Sequence, residues 1–296
     1  MSPAPDFLII GAMKSATSTL HEQLARQPGV FMSTPKEPNF FSDDPIYARG
    51  FEWYRGLFAG GAEALLRGES STHYTKLPTH PHAVERIARH LPQVKLIYVM
   101  RHPIDRLVSH YIHDWSERRI EKPIEQAIER HPELVAYGRY AMQLRPYLTR
   151  FGDDRVLPVF FDRLRTEPHQ ELVRICRFLG YGREPRWHAD VERQNVSSQR
   201  MRRSPLRDAV VEQPLLRVLR RALVPKALRE RIRDLWRMKE PPALSPERRN
   251  ALAACFDEDL AELGAWLGID LRCDNFSRVT CAPDLSWSRC APGHAA

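Results

Sequence analysis

Short, uninterrupted apolar runs punctuate this chain. Phe7-Leu8-Ile9-Ile10 is the first, and a run of that length without alternation predicts a strand buried on both faces. Gly11 ends it and a polar turn follows. Leu20 and Leu24 then recur four apart, predicting a helix from Ser18 to about Gln27, where Pro28-Gly29 stops it. Val94 to Met100 is a second run, preceded by a helix-like stretch from Ala83 to Leu91. Beyond Arg101-His102-Pro103, the residues Ile104, Leu107, Val108, Tyr111 and Ile112 fall at helical spacing. Pro103 suits the first turn of that helix, where its missing N–H costs nothing. Arg155 to Phe161 predicts a third strand, and Arg163 to Leu179 a helix closed by Gly180. Ser245-Pro246 reads as the N-cap and first residue of a last helix reaching Leu267.

Strands that alternate with helices predict an α/β fold, a mainly parallel central sheet with helices on both faces. Ligands bind such sheets at the carboxyl ends of the strands. The loops 11–18 and 101–103 both leave that edge. After about residue 195 the pattern turns helical, with prolines as punctuation. The expected organisation is one domain over residues 1–272, its core at 6–180 and a basic helical segment at 200–267. Residues 273–296 are expected to form an irregular tail. No repeat is visible.

Composition narrows this only slightly. Apolar residues are 43% of the 296 and charged ones 28%, values of a globular chain with a real core. No segment approaches the roughly 18 to 20 apolar residues of a membrane span. The run Phe7 to Met13 is too short for a signal-peptide core and has no basic residue ahead of it, so a cytoplasmic protein is expected. Five cysteines without a CxxC pair suit neither a zinc site nor a disulfide framework. A Cys273–Cys281 bridge is conceivable, but reduced thiols are expected in a cytoplasm.

Charge matters more by place than by size. The net charge is +8, and Arg200 to Lys239 alone holds 13 Lys/Arg against 4 Asp/Glu. That segment is either a solvated helix face or a peripheral contact for an anionic surface. Nucleic acid is not expected as a partner, because no aromatic-interleaved basic sheet or DNA-reading motif accompanies the charge.

The strongest local signal is Gly11-Ala12-Met13-Lys14-Ser15-Ala16-Thr17-Ser18-Thr19-Leu20. It sets small and hydroxyl residues and one Lys between a buried strand and a helix. Backbone N–H groups at a helix N-terminus make an anion site. The plainer alternative is a strand–helix turn capped by Ser and Thr. The Walker pattern GxxxxGK[ST] is absent, since the Lys comes early in the turn. Arg101 and Ser109 form a second signal: a guanidinium can fork onto a phosphate, and a hydroxyl two turns along can join it.

With these motifs the chain resembles the sulfotransferases that use 3′-phosphoadenosine 5′-phosphosulfate (PAPS), in particular bacterial members related to the heparan sulfate type. Lys14 to Leu20 is similar to their 5′-phosphosulfate loop, and Arg101 to Ser109 to their 3′-phosphate motif. Lys36-Glu37-Pro38-Asn39-Phe40-Phe41, Trp53-Tyr54-Arg55, Gly68-Glu69-Ser70-Ser71 with Tyr74, and Phe161-Asp162-Arg163-Leu164 resemble further family segments in order. The resemblance covers roughly residues 6 to 180. It departs at Ala16, where the family usually has Gly; Ala is unfavourable there if positive φ is required.

The resemblance implies a P-loop-like sulfotransferase fold and sulfuryl transfer from PAPS to a hydroxyl or amine, leaving PAP, with no metal expected. Lys14 would stabilise the leaving oxygen, and the amides of Ser15, Ala16, Thr17, Ser18 and Thr19 would hold the 5′-phosphate. Arg101 and Ser109 would grip the 3′-phosphate, completed by a late basic residue such as Arg200 or Arg202. Glu37 is the implied base, with His73 as rival because a histidine titrates near neutrality. Phe40, Phe41, Trp53 and Tyr54 line either an acceptor pocket or, more simply, the core. The acceptor is open among small molecules, glycans and lipids. Two alternatives stand beside this: a P-loop-like small-molecule kinase, and an inactive module binding nucleotides or anionic surfaces.

Overall fold

The computed structural model describes residues 3–191, 242–283, 285–288 and 291–292. Five parallel strands form one sheet in the order β2-β3-β1-β4-β5: β1 (Phe7–Gly11), β2 (Val30–Met32), β3 (Leu66–Ser70), β4 (Lys95–Met100) and β5 (Val156–Phe160). The apolar runs of β1, β4 and β5 fall where the sequence predicts them. Two strands escape the apolar reading. β2 has three residues, and β3 is Leu-Arg-Gly-Glu-Ser, a stretch too polar to look buried. Pairing with β1 nevertheless buries the last three of them.

Alternation along the strands divides the core. Phe7 and Ile9 of β1, with Ile97, Val99, Leu157 and Val159, face Leu20 and Leu24 and the helix Pro168–Leu179. Leu8 and Ile10, with Leu96, Tyr98 and Met100, face the other way. There they meet the helices Ala83–His90, Pro103–Ser116, Tyr140–Phe151 and Pro246–Leu267. The segments after β1 and β4 therefore leave to opposite faces, and a crevice opens between them at the carboxyl edge.

Local chemistry sets the helix ends. Pro103 stands at N1 as expected, and Gly180 closes its helix at φ 78°. The Ser245 hydroxyl accepts from the Arg248 N–H at 3.2 Å. The single helix expected from Arg163 to Leu179 is two, Phe161–Thr166 and Pro168–Leu179. Pro168 disfavours helical geometry for the residue before it, and Glu167 sits at φ −130°, ψ 55°. No helix among the described residues is long and apolar enough to cross a membrane.

Beyond Cys273 lies a short helix, Phe276–Val279, and the described residues after it are in no further helix or strand. This stretch is pinned to the core: Arg163 Nη1 donates to the Cys281 carbonyl at 3.1 Å and Arg174 Nη1 to that of Leu285 at 3.2 Å. Trp287 Nε1 donates to the Val156 carbonyl at 2.5 Å. Cys273 and Cys281 are free thiols.

Phe276 is fully buried against His102 and Phe160. Phe276→Ala should therefore cost about 3–5 kcal/mol, read as a lower midpoint in urea or thermal denaturation. A cost below about 1 kcal/mol would mean that the C-terminal stretch is not part of the core.

Candidate active site

A cavity of about 830 Å³ opens at the carboxyl edge, and each strand of the sheet sends residues to it. Lys14, Ala16, Thr17, Ser18 and Thr19 follow β1; Lys36 and Glu37 follow β2; Thr72, His73 and Lys76 follow β3. Arg101, Ser109, His113 and Arg119 follow β4, and Phe161 and Arg165 follow β5. Six of these side chains are cationic (Lys14, Lys36, Lys76, Arg101, Arg119, Arg165) and one, Glu37, is a carboxylate. A low-dielectric cleft so lined concentrates anions.

The turn after β1 has the shape of an anion cradle. Lys14 and Ala16 both take left-handed backbone, at φ 72° and 66°. Ala16 thus stands where the positive φ favouring glycine is required, at a cost of about 1–2 kcal/mol. It is the N-cap of the helix Thr17–Ala25 and supplies no side-chain cap, and Thr17, Ser18 and Thr19 of the first turn line the cavity. Ser15 does not reach the cavity. It is fully buried, and its amide closes the turn on the Ala12 carbonyl at 3.2 Å.

The Arg101 guanidinium lies 4.8 Å from the centre of the Phe161 ring and donates from Nη1 to the Lys14 carbonyl at 3.4 Å. Its backbone N–H donates to the Tyr140 hydroxyl at 3.2 Å. These contacts aim it across the cradle. Ser109 lines the cavity two turns along the helix Pro103–Ser116, as its spacing implies. Arg200 and Arg202 lie outside the described residues, as does the basic segment 200–239.

Glu37 stands on the opposite wall at φ 56°. Its amide donates to the Ser70 carbonyl at 3.0 Å, and the next turn is tied by Asn39 N–H to Ser71 Oγ at 3.1 Å. The carboxylate accepts from Lys36 Nζ at 3.1 Å and Thr72 Oγ1 at 3.5 Å. The ion pair with a neighbouring lysine is present, and Glu37 still lines the cavity. Phe40, Phe41 and Tyr54 do not: they are fully buried, with Phe40 stacked on Tyr54 at 4.7 Å, and form the floor beneath this loop.

His73 lines the cavity, stacked on His80 at 4.8 Å. Burial, helped by the Lys76 charge, pushes its pKa down to about 3. Lys36, the first residue of the segment Lys36 to Phe41 quoted above, lines the cavity as well, and so do Thr72, Lys76, His113, Arg119 and Trp187, which escape a reading by motif. Among the described residues, no cluster of three His, Cys, Asp or Glu side chains is placed to hold a metal.

Residues 4–244 match the family model of the sulfotransferase domain. Mouse heparan sulfate glucosamine 3-O-sulfotransferase 3A1 is 31% identical over 188 residues, 60% of this chain and 46% of that protein. Human bifunctional heparan sulfate N-deacetylase/N-sulfotransferase 2 is 29% identical over 196 residues, 60% of this chain and 22% of that protein. The chain thus spans about half, or less, of the curated relatives it matches. A sulfotransferase from Alicyclobacillus acidocaldarius shares the fold, with a TM-score of 0.65 at 24% identity over 91% of this chain and 98% of that one.

Beneath the Glu37 loop, Glu69 is fully buried and accepts from the hydroxyls of Tyr54 and Tyr74. Burial raises its pKa from an ordinary 4.5 to about 7. The folded state therefore keeps the proton that the unfolded state releases. The stability this group contributes is complete below about pH 4.5 and is lost as pH rises to about 7. Glu69→Gln should remove that loss, so that variant and parent diverge by roughly 3 kcal/mol across the window. Parallel stability–pH curves from urea denaturation would show that Glu69 is ionised in the fold.

Proposed function

The chain belongs to the sulfotransferase family, and on that premise we propose that it transfers a sulfuryl group from PAPS to an acceptor hydroxyl. One observation carries the reading: a single cavity joins the cradle after β1, the Arg101–Ser109 pair after β4 and a carboxylate on the facing wall. Two anion sites one strand apart suit a donor with phosphates at both ends of its ribose. Glu37 lies where an acceptor would enter.

Sulfuryl transfer asks the protein for in-line positioning and charge stabilisation. The acceptor oxygen forms its bond to sulfur as the bond from sulfur to the bridging oxygen breaks. The electron pair of that bond stays on the 5′-phosphate, beside Lys14, and the acceptor proton passes to Glu37. The N–H groups of Thr17, Ser18 and Thr19 hold the 5′-phosphate, and Arg101 with Ser109 holds the 3′-phosphate. The named relatives act on heparan sulfate, and a glycan hydroxyl is the first acceptor class to screen.

Calorimetric titration with PAP, AMP and Mg-ATP tests the donor, with PAP expected to bind far more tightly than the others. Arg101→Ala should weaken PAP by about 10- to 100-fold and spare adenosine 5′-phosphosulfate, which lacks the 3′-phosphate; equal losses would remove that assignment. Lys14→Ala should lower kcat by about 10²–10³. Glu37→Gln should lower kcat by about 10²–10⁴ while leaving PAP affinity intact, and an active Glu37→Gln enzyme would place the base elsewhere.

A further inference from the structure

The cavity divides along the sheet. β1, β4 and β5 present Lys14, Arg101 and Phe161, the half that the donor occupies in the reading above. β2 and β3 present Glu37, Thr72 and Lys76, and no step of the proposed reaction uses Lys76.

Lys76 is held rigidly. It ends the helical turn Thr72–Thr75, whose Thr75 Oγ1 donates to the Ile10 carbonyl at 2.7 Å. Tyr147 donates its hydroxyl to the Tyr74 carbonyl at 2.6 Å, and Leu77 N–H donates to Gln143 Oε1 at 2.8 Å. The Lys76 residue is only 8% exposed, yet it lines the cavity. Its ammonium lies 5.7 Å from the centre of the Tyr137 ring.

The surroundings give that charge no direct ion-pair partner. Among the described residues, no carboxylate is within ion-pair distance of Lys76. The two acidic groups that act on it are engaged elsewhere: Glu37 pairs with Lys36 at 3.1 Å, and Asp114 with His110 at 3.1 Å and Arg119 at 3.6 Å. Arg106 and Arg119 add positive charge, and His73 and His80 also lie close. Burying an ammonium without a counter-ion costs several kcal/mol, so a fixed, cavity-lining one marks where an anion arrives. Burial holds its pKa down at about 8, which leaves it mainly charged at neutral pH.

We propose that Lys76 binds an anionic group of the acceptor, a carboxylate or a sulfate ester close to the hydroxyl that faces Glu37, and so selects acidic acceptors. The word acceptor rests on the sulfotransferase reading; the anion site itself rests on the geometry. A neutral alcohol would leave Lys76 as unpaired as it stands now, whereas an acid would complete it.

The test follows the Lys76 ammonium directly, by NMR titration of the full chain labelled with [13Cε]lysine. The signal is identified by its loss in Lys76→Arg and, independently, by a midpoint well below that of an ordinary lysine. The probes are D-glucuronate, D-glucose 6-sulfate and D-glucose, each with and without PAP. Saturating glucuronate or glucose 6-sulfate should raise the proton affinity of Lys76 by about tenfold or more, and glucose should leave it unchanged. A response to glucuronate alone assigns a carboxylate, to the sulfate ester alone a sulfate, and to both a general anion site. No response to either acid, or an equal response to glucose, overturns the proposal. PAP calorimetry on the same samples separates the two readings. Silence toward PAP with a responding Lys76 removes the donor assignment and leaves the anion site; the reverse removes the anion site alone.

Discussion

The cavity depends on one close approach, between the end of β1 and the turn that follows β3. Thr75 Oγ1 donates to the Ile10 carbonyl at 2.7 Å, and a Cβ at position 11 would lie 2.0 Å from that oxygen. Only glycine leaves room for the hydroxyl to cross the strand end. The contact draws residues 72–76 over the sheet edge and brings them to the cavity that Lys14 lines. A parallel sheet delivers loops to one edge and pairing makes β1 and β3 neighbours; this hydrogen bond, with that of the Ser71 amide to the Ile9 carbonyl at 3.1 Å, ties the turn after β3 to the end of β1.

Around that joint the protein holds charge by burial and aims it by backbone constraint. Lys14, Ala16, Glu37 and Asn39 all sit at positive φ without being glycine. Such conformations persist only where the surroundings over-determine them, and here they do. Glu37 and Asn39 are tied to Ser70 and Ser71 by their amides. Beneath them Phe40, Phe41 and Tyr54 pack in edge and stacked contacts of 4.7–5.0 Å. Glu69 completes the floor as a carboxyl whose pKa burial raises, and Glu37 is the carboxylate that lines the cavity. Behind the cradle, His21 Nδ1 and Ser70 Oγ lie 2.9 Å apart, locking the first helix to β3.

The strongly patterned parts of the fold are legible in the sequence. β1, β4 and β5 are continuous apolar runs because both faces of the sheet are covered, and the caps at Pro103, Gly180 and Ser245 follow from local backbone chemistry. The same holds for the cradle from Lys14 to Thr19 and for the spacing of Arg101 and Ser109, since a strand–loop–helix unit fixes where its loop points. β3 carries no apolar run, because Arg67, Gly68, Glu69 and Ser70 follow its one leucine. Its burial is a property of its neighbours, two tyrosine hydroxyls and a paired strand, and not of its own composition.

The remainder of the site was decided by tertiary structure. Glu37 and Lys76 are 39 residues apart and face one cavity only because β2 and β3 are parallel neighbours. His73 looks like a base in sequence, where its ordinary pKa is all that can be assumed; burial beside Lys76 then lowers that pKa. Lys76 itself carries no motif. Sequence determined the elements whose physics is local, namely apolar runs, caps and the strand–turn–helix unit after β1. Burial and charge depend on what surrounds a group, and only the folded chain supplies those surroundings.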